Sequence, residues 1–230
     1  QGFKHFMLKE IHEQPAVVKE TARLNLDTYF TQENPAINFS LFKKIFVVAC
    51  GSAAYAGLVG KYVIEKWCRV PVEFDVASEF RYKDPILSAN DLVIVVSQSG
   101  ETADTLAALR IAKEKGAKTL GIINVINSTI AREAHSVIYT RAGPELSVAS
   151  TKAFMSQLVM FYKIAEKMSG KKINLAHIPG LILRQILDKK EQIRAVAQKY
   201  HQVYNFIFIG RNLNYPLALE GALKLKEISY

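Results

Sequence analysis

From Ile45 onward the chain alternates between short, unbroken apolar runs and longer stretches whose apolar residues return every three or four positions. The first pattern reads as a buried strand and the second as a helix packed along one face. Ile45–Ala49 is read as a strand, Cys50–Ala53 as a turn and Ala54–Trp67 as a helix. Val72–Val76 follows as a second strand, with a short helical turn at Ser78–Arg81. Leu92–Val96 is the third strand and leads through a polar turn into a helix at Ala103–Lys115. Thr119–Ile123 and Ser136–Thr140 complete the set, and Ser150–Ser169 reads as a long helix.

Strands alternating with helices at this spacing imply an α/β domain with a parallel sheet covered on both faces. The expected form is flavodoxin-like and doubly wound, with five strands in the order 2-1-3-4-5. In that order strands 1 and 3 flank the switch point, where a crevice opens. The polar turns Cys50–Ala53 and Ser97–Thr102 follow those two strands. Topology and composition thus point to one ligand position.

Outside this core, residues 1–40 read as an amphipathic helical lead-in, carrying Met7, Ile11, Val17, Val18, Leu24 and Leu26. Pro15 marks a start or a kink in it. The first domain is expected over 41–172. A connecting region follows at 173–203, with a helix over Leu181–Tyr200. The alternation then restarts, with Asn205–Gly210 as a strand, Arg211–Tyr215 as a polar turn and Pro216–Tyr230 as a helix. Residues 204–230 therefore read as the start of a second domain, and the chain as a fragment.

Composition removes several alternatives. Half of the 230 residues are hydrophobic, enough for a packed core and too many for a disordered chain. No apolar run approaches the roughly 20 residues needed to span a bilayer, so no membrane partner is expected. Cys50 and Cys68 form no CxxC pair, which argues against a disulfide framework or a zinc site and suits a reducing cytoplasm. The net charge of +9 raises the question of nucleic acid. Its lysines and arginines are dispersed, however, and no nucleic-acid-binding motif is present. A solvated basic surface that attracts anionic metabolites is the preferred reading.

Ser97, Gln98, Ser99 and Thr102 gather three hydroxyls and a carboxamide at a helix entrance, where free N–H groups and the helix dipole favour an anion. The Walker lysine is missing, so the turn is not a nucleotide P-loop. Helix capping needs one hydroxyl; the surplus, with Gly100 allowing close backbone approach, suits a small phosphorylated molecule. Cys50 reads as a pocket wall, because no activating partner adjoins its thiol. Gly51 and Ser52 offer backbone and hydroxyl contacts beside it. A second polar turn, Glu145–Lys152, is placed to fold over the same crevice, with Ser150 or Thr151 alternatively serving as an N-cap. On the last helix Glu220, Lys224 and Glu227 are spaced i, i+4, i+7 and share a face. Taken alone they are either a solvated ion-pair face or a carboxylate base held by a cation. The five histidines form no metal-ligand spacing; neither a metal nor a cofactor is expected.

Six strings together resemble a known family: HFMLKEIHEQP at 5–15, ACGS at 49–52, ASEFRY at 77–82, SQSGETAD at 97–104, VASTKAF at 148–154 and ALEGALKLKEISY at 218–230. The chain resembles the isomerase half of the glutamine–fructose-6-phosphate aminotransferases, which is built of sugar isomerase (SIS) domains. The resemblance implies that Ser97, Gln98, Ser99 and Thr102 hold a sugar phosphate, and that Cys50, Gly51, Ser52, Val148 and Ser150 surround the sugar. It makes Glu227 the base that moves a proton between C1 and C2, with Glu220 and Lys224 beside it. It also implies fructose 6-phosphate and glucosamine 6-phosphate as ligands, a homodimer and a place in amino-sugar biosynthesis. Where the family often has Cys-Gly-Thr-Ser, this chain has Ala53 in the last position and lacks that hydroxyl. The family's glutaminase domain, ring-opening histidine and Schiff-base lysine have no counterpart in these residues, so no glutamine-dependent synthesis is expected from them alone. A stand-alone SIS module that senses a phosphosugar is the alternative; a related amino-sugar-phosphate deglycase or deaminase is disfavoured by the lead-in and the LKEISY string.

Overall fold

The computed structural model describes residues 2–229; Gln1 and Tyr230, which end the expected lead-in and last helix, lie outside them. Five strands form one parallel sheet: β1 Lys44–Ala49, β2 Val72–Val76, β3 Asp91–Ser97, β4 Lys118–Ile123 and β5 Ser136–Tyr139. Their order is β2-β1-β3-β4-β5, the doubly wound order the alternation predicts. Ala49 pairs with Val96, so Cys50 and Ser97 leave the sheet side by side at the switch point.

Successive residues of a strand point to opposite faces, and the core divides accordingly. Ile45, Val47 and Ala49 of β1, with Leu92, Ile94 and Val96 of β3, face α2 (Gly51–Cys68) and α6 (Lys152–Ser169). Phe46, Val48, Val93 and Val95 face α3 (Ala77–Phe80), α4 (Ala103–Glu114) and α5 (Thr129–Glu133). Side chains buried this completely stabilise the domain by about 1.5–3 kcal/mol each. On the first face Gly60 of α2 admits the Phe161 ring of α6; a Cβ there would stand 2.2 Å from Phe161 Cδ1. That contact lets α2 and α6 pack closely; each follows a strand of the parallel sheet, so both N-termini lie at the same end of it.

The lead-in is helical over a shorter span than expected. The helix α1 covers Phe6–Ala22 and runs through Pro15, which is buried inside it. From Arg23 the chain is irregular, because local side-chain hydrogen bonds compete with the helix. Asn25 Oδ1 accepts from Asp27 N, and Asn38 Oδ1 accepts from Ser40 N. Asn34 bonds both the N–H and the carbonyl of Val137, covering the β5 edge. Leu24 and Leu26 are buried as a helix would have them, but in a loop.

Two further expectations are corrected. The single helix over 181–200 is broken into α7 (Ile178–Gln185), a 3-10 turn at Leu187–Lys189 and α8 (Lys190–Tyr200). Ile182 and Leu187 both pack on Val18 and Val159. Five positions apart, they would point about 140° from each other on one continuous helix, and the break at Ile186 lets both reach that cluster. Asn205–Gly210 forms no strand. It has no hydrogen-bonding neighbour among the described residues, and Ile207 and Ile209 are each 89% exposed. The last helix, α9, spans Asn214–Ser229. Among the described residues no helix is long and apolar enough to cross a membrane.

Candidate functional site

The turn after β3 is held by its own first hydroxyl. Ser97 Oγ accepts from Gly100 N at 2.9 Å and lies 3.0 Å from Thr102 Oγ1. Gly100 has φ +68°, and a Cβ on it would fall 2.0 Å from Ser128 Oγ, so this position requires glycine. Thr102 stands at the N-cap of α4, yet its side chain makes no capping hydrogen bond. Thr102 therefore does not cap α4, while Ser97 and Ser99 accept from the N–H groups of Gly100 and Glu101 inside the turn. The first-turn N–H groups of α4 remain beside Ser99 and Thr102 without intrahelical partners, a setting that favours an anion.

The helix α2 begins at Gly51 rather than at Ala54, with Cys50 at its N-cap, so Gly51–Ala53 is a helical turn. Ser52 on this turn links it to α9. Its Oγ donates to Glu220 Oε1 at 2.9 Å and accepts from Lys224 Nζ at 2.8 Å. Lys224 also lies 3.5 Å from Glu220 and pairs directly with Glu227. The face Glu220–Lys224–Glu227 is thus not a solvated ion-pair surface. Glu220 is 6% exposed, and its Oε2 is buried without a hydrogen-bond partner. Burial pushes its carboxyl above the ordinary value, against the pull of Ser52 and Lys224.

The third wall is the loop before α6. Its N-terminus is capped neither by Ser150 nor by Thr151 but by the Glu145 carboxylate. Glu145 Oε1 accepts from Thr151 N at 2.9 Å and Ala153 N at 3.1 Å, while Ser150 Oγ donates to Oε2 at 2.8 Å. The loop is fastened from outside by α1: Glu10 Oε1 accepts from Leu146 N at 2.6 Å, and Glu13 pairs with the buried Lys152 at 2.7 Å.

These walls enclose a cleft of about 260 Å³. Cys50, Ser52, Ser97, Gln98, Ser99, Thr102, Val148, Ser150 and Glu227 all line it. Gly51, Glu220 and Lys224 do not; the last two stand behind Ser52 and Glu227 and orient them. Ala53 presents a methyl group to the cleft. Glu145 and Ser147 lie on the turn that the sequence places over the crevice, and both line it; Val96 and Gln157 were missed. Gln157 alone left a usable signal: it is a polar residue on the stripe Ala153, Met160, Phe161, Ile164 that α6 turns to the core. No group of three or more metal-ligating side chains is present among the described residues.

The SIS domain family matches residues 39–167. The whole chain is 49% identical to a glutamine–fructose-6-phosphate aminotransferase (isomerizing) of Caldanaerobacter subterraneus subsp. tengcongensis and 50% identical to that of Clostridium tetani. It spans about 40% of the length of these curated relatives. Among solved structures, the C-terminal domain of glucosamine-fructose-6-phosphate aminotransferase from Francisella tularensis matches the whole chain with a TM-score of 0.88 at 38% identity, over 69% of that structure. The fold alone is shared with a glucosamine-6-phosphate deaminase from Thermotoga maritima, at TM-score 0.72 and 22% identity, over 97% of this chain and 67% of that structure. The chain belongs to the SIS domain family, and over its whole length it is similar to the isomerase half of the glutamine–fructose-6-phosphate aminotransferases.

Proposed function

We propose that the cleft binds a hexose 6-phosphate and serves the isomerisation that forms glucosamine 6-phosphate from fructose 6-phosphate and glutamine-derived ammonia. The observation that carries this reading is that Glu227 and the serine turn line one small cleft. Ser97, Gln98, Ser99 and Thr102 hold the phosphate with the N–H groups of α4. Cys50, Ser52, Val148 and Ser150 border the carbon chain, with the Gly51 backbone behind them. Ammonia condenses with the C2 carbonyl of the open-chain sugar with loss of water. Glu227 then takes the proton from C1 of that imine and returns it at C2, and the donors around the cleft stabilise the enolamine intermediate. Lys224 holds the Glu227 carboxylate in place, and Glu220 holds Lys224 through Ser52. A carboxylate so oriented favours an enzyme over a module that only senses a phosphosugar.

In this reading residues 41–172 form the sugar-phosphate unit, 1–40 lead into it, 173–203 connect, and 204–230 deliver the Glu227 helix. A homodimer belongs to the same proposal on the strength of the resemblance. A reducing cytoplasm suits the two unpaired thiols, Cys50 and Cys68. Calorimetric titration with glucosamine 6-phosphate and with unphosphorylated glucosamine tests the assignment. Two hydrogen bonds to a charged phosphate are worth about a 100-fold preference for the phosphorylated sugar. Equal affinities would rule the phosphate site out.

A further inference from the structure

Gln157 lines the cleft from within α6, among the buried apolar residues Ala153, Met160, Phe161 and Ile164 of that helix. It is 2% exposed, and its Oε1 is buried with no hydrogen-bond partner. A carboxamide in that position costs the empty protein stability, because it has lost water without gaining a partner. Leucine or methionine would fill the same space at no such cost. The turn at Ser97–Thr102 is separate from this position in the chain and already supplies the donors for an anion. Gln157 carries no charge and takes up no proton near neutral pH, so proton transfer is not its task. Its terminal torsion is broad and two-fold, and either end of the amide can turn toward the cleft. A sugar hydroxyl, which both donates and accepts, matches either end.

We infer that Gln157 is a specificity-determining contact of the sugar site: its carboxamide hydrogen-bonds one hydroxyl of the hexose chain, apart from the phosphate grip. This rests on the hexose 6-phosphate reading of the cleft. A buried polar group that is satisfied only when the site is filled discriminates sharply, since an analogue without the hydroxyl leaves it unpaired again. The other cleft-lining polar side chains are not placed this way: Ser52, Ser97 and Ser150 each bond protein groups already.

The test uses the full chain and two variants, Gln157→Leu and Gln157→Met. Calorimetry compares glucosamine 6-phosphate, its 1-, 3-, 4- and 5-deoxy analogues, and inorganic phosphate. Both variants are expected to bind glucosamine 6-phosphate about 10-fold more weakly than wild type, and inorganic phosphate equally well. One deoxy analogue is expected to bind wild type and variants alike, identifying the hydroxyl. Without ligand, both variants should unfold at or above the wild-type temperature, because an unpartnered carboxamide has been removed. Wild-type affinity of the variants for glucosamine 6-phosphate would overturn the inference. So would equal losses for the sugar and inorganic phosphate, or a full 10-fold gap on every deoxy analogue, which would mark a water-mediated or packing role. A lowered unfolding temperature in both variants would show the amide satisfied within the folded chain and would also overturn it. Failure of wild type to bind any phosphosugar would instead remove the parent reading, and this contact with it.

Discussion

At the scale of single residues, Glu220 shows how the site sets one charge against the fold. Ser52, Lys224, Glu227 and Tyr55 surround it, and burial is the largest influence on its carboxyl, raising it from the ordinary value. A raised carboxyl in the folded state binds a proton over a pH range in which the unfolded chain has already released it. Stability therefore falls as pH rises from the unfolded carboxyl value through the raised folded one, and is level above that. Glu220→Gln keeps an oxygen that accepts from Ser52 and removes the titration. In urea unfolding across pH 4–8, the variant should gain on wild type as pH rises and keep its gain above the folded value. A variant that loses ground with rising pH would mean that Lys224 and Ser52, not burial, control this carboxyl. The three residues of this face were legible from their i, i+4, i+7 spacing, but the partner that buries the face was not. Periodicity shows which side chains share a face; it does not show that Ser52, 168 positions from Glu220 along the chain, meets that face.

Elements explain the rest of what was and was not legible. The strands and their order follow from β1 and β3, whose both-sided burial makes them continuous apolar runs. The serine turn followed from its place after β3, since switch-point crevices lie beyond the carboxyl ends of strands. The third wall was half visible, because the Glu145–Lys152 turn is dense in polar residues. Proximity offers Ser150 or Thr151 as an alternative cap, whereas the structure uses Glu145 from several residues upstream. A carboxylate at a helix N-terminus outcompetes a hydroxyl by adding charge–dipole attraction to the hydrogen bonds. Glu145→Ala should therefore cost about 1–2 kcal/mol of stability and weaken hexose 6-phosphate binding, because the loop carrying Val148 and Ser150 loses its anchor to α6. Glu145→Gln, which keeps an acceptor, should recover most of the stability. Denaturant unfolding and ligand titration of the pair provide the check; wild-type stability in both variants would show that the carboxylate is not the cap.

For the whole molecule, the apolar surface is distributed unevenly. The sheet and its helices close over a core in which the strand side chains are buried, whereas α8 buries none of its residues. The run Tyr204–Ile209 presents Tyr204, Phe206, Ile207, Phe208 and Ile209 to solvent. Its composition suits a strand; a strand also needs a neighbour for its backbone groups, and the described residues offer none. Exposed β-prone runs of this kind pair with whatever edge they meet. In the 230-residue chain this run should drive concentration-dependent association, seen as a rising apparent mass in light scattering. Ile207→Asp with Ile209→Asp places charge on two side chains that are 89% exposed. The double variant should suppress that association and change unfolding stability by no more than about 0.5 kcal/mol per site, as expected for surface positions. A large loss of stability would instead show that the run packs on the domain. Association that persisted beyond a dimer at unchanged stability would point instead to the exposed faces of α7 and α8, with Leu183, Ile186, Ile193 and Val196.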